Sequence, residues 1–315
     1  MIVCTCDRPA GLARTMRSIL ADPSVVEREL LVVDNGSEAN TEAVAAAVHT
    51  SNEGAPFAVR LLRQPIPGKS HALNLAMREA AGDALLFTDD DVEVEAGWAD
   101  ALVAPFVDSA VGLVGGRTLP AWPAPPPAWV SPRIARALGV RDLGESAGPL
   151  QAEDVIGANM AVRAAALPGR GDAFDTRLGP RGAVKMDYEE VALAELVGRR
   201  HQLRYAAAAV VRHHIDPARV DLEWLRRMSF QRGFGWVQHE MALELDGRVS
   251  LLTGLYRAAF YYPRTLLLRV RHDDSRFGPR EADRELEGFR AAGRYVGRLL
   301  YRWPRVASWA AGHLA

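Results

Sequence analysis

The stretch Ala84-Leu85-Leu86-Phe87-Thr88, followed at once by Asp89-Asp90-Asp91, decides how this chain is read. Five residues of apolar or β-favouring character, closed by charge, fit a short strand covered on both faces of a parallel sheet. In an open α/β sheet ligands bind beyond the carboxyl ends of the strands, where the three aspartates would lie. Adjacent like charges repel, so the run is costly unless water or a cation compensates it. Mg²⁺-like ions take oxygen ligands and commonly pair one or two carboxylates with substrate phosphates. A solvated acidic loop is the plainer alternative.

Working outward, residues 1–116 alternate apolar runs with helical patterns, as βα units do. Strands are predicted at Ile2 to Cys6, Glu29 to Val33, Ala58 to Leu62, Ala84 to Thr88 and Val111 to Val114. Leu12, Met16 and Ile19 recur at helical spacing after Pro9, a good first-turn residue, and a second helix is predicted from Ser70 to Ala81 after Gly68. A Rossmann-like half follows. Its second strand also ends in charge, at Asp34-Asn35-Gly36-Ser37, so two strand ends put carboxylates on one rim; the alternative is a turn, which these residues favour. Lys69 stands at a helix start, where free N–H groups and the dipole attract anions.

The second region, residues 117–235, opens with six prolines between Pro120 and Pro132, which predicts neither central strand nor helix there. Trp122 and Trp129 in this loop are candidates for stacking on a ring of a ligand, or for packing the loop down. Beyond it come a predicted strand from Val155 to Val162, a Gly-rich turn from Gly169 to Gly182, a helix from about Asp187 to Val197, a strand from about Leu203 to Arg212 and a helix around Asp221 to Phe234. Glu189 and Glu190 at the start of this helix are candidate site residues, with simple complementation of the helix dipole as the alternative. His213 and His214 are neighbours on a strand and point to opposite faces, so at most one readily serves a site. Residues 236–315 form a basic helical extension. In it Phe289, Ala292, Val296, Leu299, Leu300 and Trp303 fall on one helical face and Arg290, Arg294, Arg298 and Arg302 on the other. That pattern suits a helix lying on anionic lipid, or one packed on the protein's own core or a dimer partner.

Composition narrows the function. The 315 residues are 49% apolar and 24% charged, as in a globular protein, and no apolar run is long enough to span a bilayer. Thirty-eight basic and 39 acidic residues leave a net charge of -1, which gives no global field for nucleic acid. Only two bases are lysines, Lys69 and Lys185. Residues 251–315 carry twelve arginines against six carboxylates, a basic tail on an acidic body. Cys4 and Cys6 alternate along a strand and do not pair locally, which suits a reducing compartment. With no basic, apolar leader at Met1, the expectation is a cytoplasmic protein, with peripheral contact at the inner face of the membrane through the last helix as a further option. There is no GxGxxG after the first strand, no complete GxxxxGK[ST] loop and no GxSxG elbow. Dehydrogenase, P-loop and serine hydrolase chemistries are therefore disfavoured.

In order, the motifs closely resemble those of the family 2 glycosyltransferases. CTCDRP is similar to that family's first strand and loop, VVDNGS to its second strand end, GKSHALNLAMREAAGDALLFTDDDVEVEAGW to its central block and GANMAVR to its acceptor-side strand. MDYEEVALAELVG resembles the helix that normally opens with Glu-Asp, and VVRHHIDPAR with WLRRMSFQRG the closing motif. The resemblance implies a GT-A nucleotide-sugar-binding fold with a mostly parallel sheet, and inverting, Mg²⁺- or Mn²⁺-dependent transfer from a nucleotide sugar, UDP being the commonest base, to a carbohydrate, lipid-linked or small-molecule acceptor. It implies that Thr5, Arg8, Asp34 and Asn35 hold the nucleoside, with Lys69 near base or phosphates. Asp89 would contact the ribose with Asp90 beside it, Asp91 and His213 the metal, and Asp187 would be the general base. Met186 departs from the pattern, which has Glu there. Two other readings are a nucleotidyltransferase acting on sugar phosphates and a nucleotide-binding, membrane-associated protein that has lost catalysis.

Overall fold

The computed structural model describes residues 1–37, 40–181, 184–242 and 278–302. The first half runs β1 (Ile2–Thr5), α1 (Pro9–Ala21), β2 (Glu29–Asp34), α2 (Thr41–Asn52), β3 (Ala58–Arg63), α3 (Lys69–Glu79), β4 (Ala84–Asp89), β5 (Val92–Val94) and α4 (Trp98–Val103). Then come β6 (Val111–Ala121), α5 (Pro132–Ala137), β7 (Gly148–Pro149), β8 (Met160–Arg163), β9 (Gly179–Arg181) and β10 (Val184–Met186). The chain continues with α6 (Glu189–Gly198), β11 (Gln202–His214), α7 (Leu222–Ala242) and α8 (Pro279–Arg302).

Among the described residues one sheet has nine strands in the order β3-β2-β1-β4-β8-β6-β11-β5, with β7 also paired to β11. The first four strands are parallel, and their register sets Thr5 beside Asp34 and Cys4 beside Asp89. Their carboxyl ends therefore share one rim. Strand β8 runs antiparallel between β4 and β6, while β6 and β11 are parallel to each other.

Side-chain alternation explains why this sheet is covered on both sides. Ile2, Leu31, Val33 and Phe87 pack with Leu73, Ala76 and Met77 of α3 and with Phe174. Val3, Leu30 and Val32 turn the other way, onto Leu12, Met16 and Ile19 of α1 and onto Trp98. Each large side chain so buried stabilises the fold by roughly 1.5–3 kcal/mol.

Two expectations are corrected. The proline-rich stretch does not begin outside the sheet, because β6 runs on through Pro120 to Ala121 and pairs with β11 to the end. Strand β8 accompanies β6 only over Leu113 to Gly115, so beyond that point one edge of β6 lacks a strand. The Thr118 N–H points to that edge and donates to the Arg141 carbonyl at 2.7 Å. Pro120, two residues on, faces the same way, where the N–H it lacks is not required. The strand expected from Val155 to Val162 spans only Met160–Arg163. Before it the chain leaves the ladder, and the Thr88 hydroxyl donates to the Ala158 carbonyl at 2.8 Å in place of a backbone group.

The chain divides into two compact units. The first comprises Met1–Ala121, Gly139–Thr176 and Glu189–Ile215; the second comprises Trp122–Leu138, Arg177–Tyr188 and the residues from Asp216 onward. Within the second unit α7 and α8 meet backbone to backbone. A Cβ on Gly233 would lie 2.0 Å from the Arg290 carbonyl oxygen, and one on Gly293 would lie 1.9 Å from that of Phe230. Only glycine permits such an approach. The side of α8 turned to α7 therefore includes Gly293 and Gly297, with Arg294 and Arg298 reaching Trp236 and Glu240 of α7. Ala292, Gly293 and Gly297 are buried, whereas Phe289 and Val296 are half-buried. The side chains of Leu299, Leu300 and Arg302, and Trp303 altogether, lie outside the described residues.

Candidate active site

In the first unit the rim is held together by charge. Asp90 is fully buried, accepts a hydrogen bond from the Thr5 hydroxyl at 2.7 Å and is paired with the Arg8 guanidinium at 2.5 Å. Burial pushes the Asp90 carboxyl up to about 7, against the pull of Arg8. Thr5 and Asp90 thus face each other, both buried at the strand ends. Gly11 lets α1 reach this strand end, since a Cβ there would lie 2.7 Å from the Asp90 carbonyl oxygen.

Asp91 is the next residue out. One oxygen accepts from Arg8 at 2.7 Å and the other lies 3.3 Å from His213 Nε2. His213 is buried and is held by β11, whose His214 N–H donates to the Asp91 carbonyl at 2.8 Å. Gly139, at φ +96°, passes so close that a Cβ would lie 2.9 Å from the His213 ring. His214 turns away to Glu93 at 2.6 Å, as alternation on a strand requires. Two ligands side by side on an octahedral cation of Mg²⁺ size stand about 3 Å apart, so Asp91 and His213 fit two adjacent positions of one ion. Among the described residues no cluster of three or more His, Cys, Asp or Glu is arranged to hold a metal, which leaves further positions to ligand oxygens.

Asp89, at the tip of β4, takes an ion pair from Lys69 at 2.7 Å, and Lys69 also lies 3.9 Å from Glu189. These carboxylates, with Glu190, hold the Lys69 ammonium charged despite its burial. Glu189 therefore belongs to the same rim as Lys69 and Asp89, a placement that the sequence pattern alone did not suggest. Gly157 borders this lysine, with space for a Cβ only 3.3 Å from Nζ. Asp34 is buried and accepts from the Ser37 N–H at 3.1 Å, closing the turn that its sequence favours. Asn35 donates to the Ile66 carbonyl at 2.8 Å and accepts from the Gly68 N–H at 2.9 Å, fixing the loop that delivers Lys69. Burial pushes the Cys4 thiol, behind this rim, up to about 12.

The second unit holds Asp187, Trp122 and Trp129. Asp187 is half-buried and takes a short hydrogen bond from Arg232 Nε, whose guanidinium also donates to the Ala137 carbonyl at 2.7 Å. Tyr188 follows at φ +86°, a left-handed conformation costly for a bulky side chain and worth a functional question. Its ring meets Trp236 edge-on, with centres 5.3 Å apart, and stacks on His239 at 5.7 Å. Arg294 lies over the Trp236 ring, 5.6 Å from its centre. Trp122 and Trp129 are half-buried. Tyr188, Trp236 and His239 drew no role from the sequence pattern, and Arg294 only a place on the basic face of the last helix; they come from a turn, α7 and α8, and no local pattern joins them.

A family model described as glycosyl transferase family 2 matches residues 1–168, more than half of the chain. The chain belongs to glycosyl transferase family 2. A succinoglycan biosynthesis protein, ExoM of Rhizobium meliloti, is 27% identical over 235 residues, 73% of this chain and 71% of that protein. An uncharacterized protein, y4gI of Sinorhizobium fredii, is 37% identical over 119 residues, which are 37% of this chain and only 13% of that much longer protein. Among solved structures, mannosyltransferase PcManGT of Pyrobaculum calidifontis, in complex with GDP-Man and Mn²⁺, superposes with a TM-score of 0.55 at 19% identity, covering 99% of this chain and 78% of that one. GalNAc-T7 with UDP, GalNAc and Mn²⁺ gives 0.50 at 14% identity, covering 75% and 49%. At these identities the likeness is one of fold, and the fold is the GT-A glycosyltransferase fold. As a family 2 member the protein is a glycosyltransferase.

Proposed function

We propose that this glycosyltransferase moves a sugar with inversion from a nucleoside diphosphate sugar, UDP first among the bases, to a hydroxyl group of a carbohydrate, lipid-linked or small-molecule acceptor. The observation that carries the proposal is the end of β4, where three successive carboxylates meet Arg8, Lys69 and His213 at the rim beside the switch in strand order. Asp91 and His213 would hold Mg²⁺ or Mn²⁺, in keeping with the Mn²⁺ complexes of PcManGT and GalNAc-T7. Bound there, such an ion offsets the charge that grows on a departing diphosphate. Asp89 would accept from ribose hydroxyls, Arg8 and Lys69 would face phosphate oxygens, and Asp34 and Asn35 would shape the nucleoside loop. Thr5 and Asp90 would hold these groups in place.

Asp187 would take the proton of the acceptor hydroxyl, a poor nucleophile until it is deprotonated. Arg232 would orient that carboxylate. Trp122 and Trp129 would border the acceptor, and Glu190 with Glu189 would steady Lys69.

Incubation with UDP-sugars and Mn²⁺ in the absence of acceptor tests the reading. Slow release of UDP and free sugar is the expected result. Release of UMP and sugar 1-phosphate would instead identify a nucleotidyltransferase, and no turnover with any nucleotide sugar would favour a binding protein.

A further inference from the structure

Three arginines of the second unit, Arg232 of α7 with Arg290 and Arg294 of α8, surround Tyr188 next to Asp187, and Arg133 of α5, its side chain half exposed, adjoins Arg290. Arg232 is paired with Asp187, while Arg133 and Arg290 share the single carboxylate of Glu287, the latter at 3.9 Å. Arg294 has the Trp236 ring, and no carboxylate pairs with it among the described residues. Nearby acids are already committed, Glu285 to Arg226 at 3.0 Å and Glu240 to Arg298 at 3.1 Å. Among the described residues these four guanidiniums face the carboxylates of Asp187 and Glu287. The Nε atoms of Arg290 and Arg294 are buried without a hydrogen-bond partner. Burial, together with Arg232 and Arg133 nearby, pushes the Arg290 pKa down, the mark of a cation short of counter-charge.

A half-buried guanidinium whose Nε lacks a partner is costly, and the glycine crossing of α7 and α8 holds these two in place. We propose that Arg290 and Arg294, with Arg133 and Arg232, form a binding subsite for a phosphate or diphosphate group carried by the acceptor. Two spare positive charges match a group of two negative charges, and guanidiniums in fixed orientation suit phosphate oxygens better than lysines do. The half-buried rings of Tyr188 and Trp236 wall the same cluster and suit the sugar or chain attached to that group. The inference rests on the reading of Asp187 as the acceptor-side base, because it assigns to the acceptor the charge beside that residue.

The test uses the full-length protein saturated with UDP and Mn²⁺, so that the donor site is filled. Binding of inorganic pyrophosphate is then measured by calorimetry. Binding is expected for the parent, with about tenfold or greater weakening in each of Arg290→Gln and Arg294→Gln. Arg290→Lys and Arg294→Lys keep the charge; an intermediate affinity with an unchanged melting temperature shows that the loss is not one of folding. A short polyprenyl diphosphate and glucose 1-phosphate serve as competitors. Displacement by both supports a general phosphate subsite, and displacement by the lipid alone identifies a lipid-borne diphosphate. Absence of pyrophosphate binding to the parent, or equal affinity in both Gln variants, overturns the proposal. Failure of UDP–Mn²⁺ to bind in the first place would instead strike at the donor reading and is scored separately.

Discussion

The β4 rim and the arginine cluster are opposites in charge and in origin. On the rim, carboxylates outnumber cations: Asp89, Asp90, Asp91 and Glu189 face Arg8 and Lys69. In the cluster, guanidiniums outnumber carboxylates. A surplus of like charge drawn out of water is unfavourable by itself, so each region would gain from a ligand of the other sign: the rim from the proposed divalent ion with its diphosphate, and the cluster from the proposed phosphate. The first comes mainly from consecutive residues of one strand end, and the second is gathered from positions as far apart as Arg133 and Arg294.

The sharpest way to break this comparison is Asp187→Asn, which keeps shape and hydrogen bonding but cannot take a proton. Transfer should fall by about 10²–10⁴-fold while UDP affinity, read by calorimetry, stays at the parent value. If turnover stays near normal and Glu190→Gln is inactive, the base lies three residues later in the chain. On the rim, Asp91→Asn should abolish the Mn²⁺-dependent part of UDP binding, because hard cations prefer a charged oxygen. Its melting temperature should not fall greatly, since one of several crowded negative charges is removed; Mn²⁺-dependent affinity equal to the parent's would rule Asp91 out as the ligand.

Gly233→Ala should act on the second unit alone. A Cβ 2.0 Å from the Arg290 carbonyl oxygen forces α7 and α8 apart, at a cost of about 1–3 kcal/mol seen in denaturant unfolding. Phosphate binding should weaken with it, whereas UDP–Mn²⁺ binding should not. A smaller effect is expected for Trp122→Ala and Trp129→Ala, which should lower acceptor use more than donor hydrolysis; equal loss of both activities would mark the tryptophans as packing residues. The smallest effect is expected from vesicles. Arg290 and Arg294 are half-buried beside α7 and Arg298 is paired with Glu240, so co-sedimentation should depend little on anionic lipid. Strong dependence would show that the arginine face opens outward.

The sequence by itself determined the βα alternation, because runs such as Leu30 to Val33 are apolar at every position and have to be covered on both faces. It also determined the carboxylate rim, since the charges of Asp89 to Asp91 adjoin in the chain and a strand end delivers them together. Alternation along β11 limited the two histidines to one per site, but only the pairing of β11 with β5 and β6 brought His213 to Asp91. The continuation of β6 through Pro120 depended on an edge that β8 leaves open, which local proline rules do not register. On α8 the helical pattern showed two faces, whereas the close approach to α7 is made through Gly293 and Gly297. The surplus of guanidinium beside Asp187 was likewise a tertiary outcome: no local rule joins Arg133, Arg232, Arg290 and Arg294, and only helices packed at glycine distance bring like charges so close without separating them.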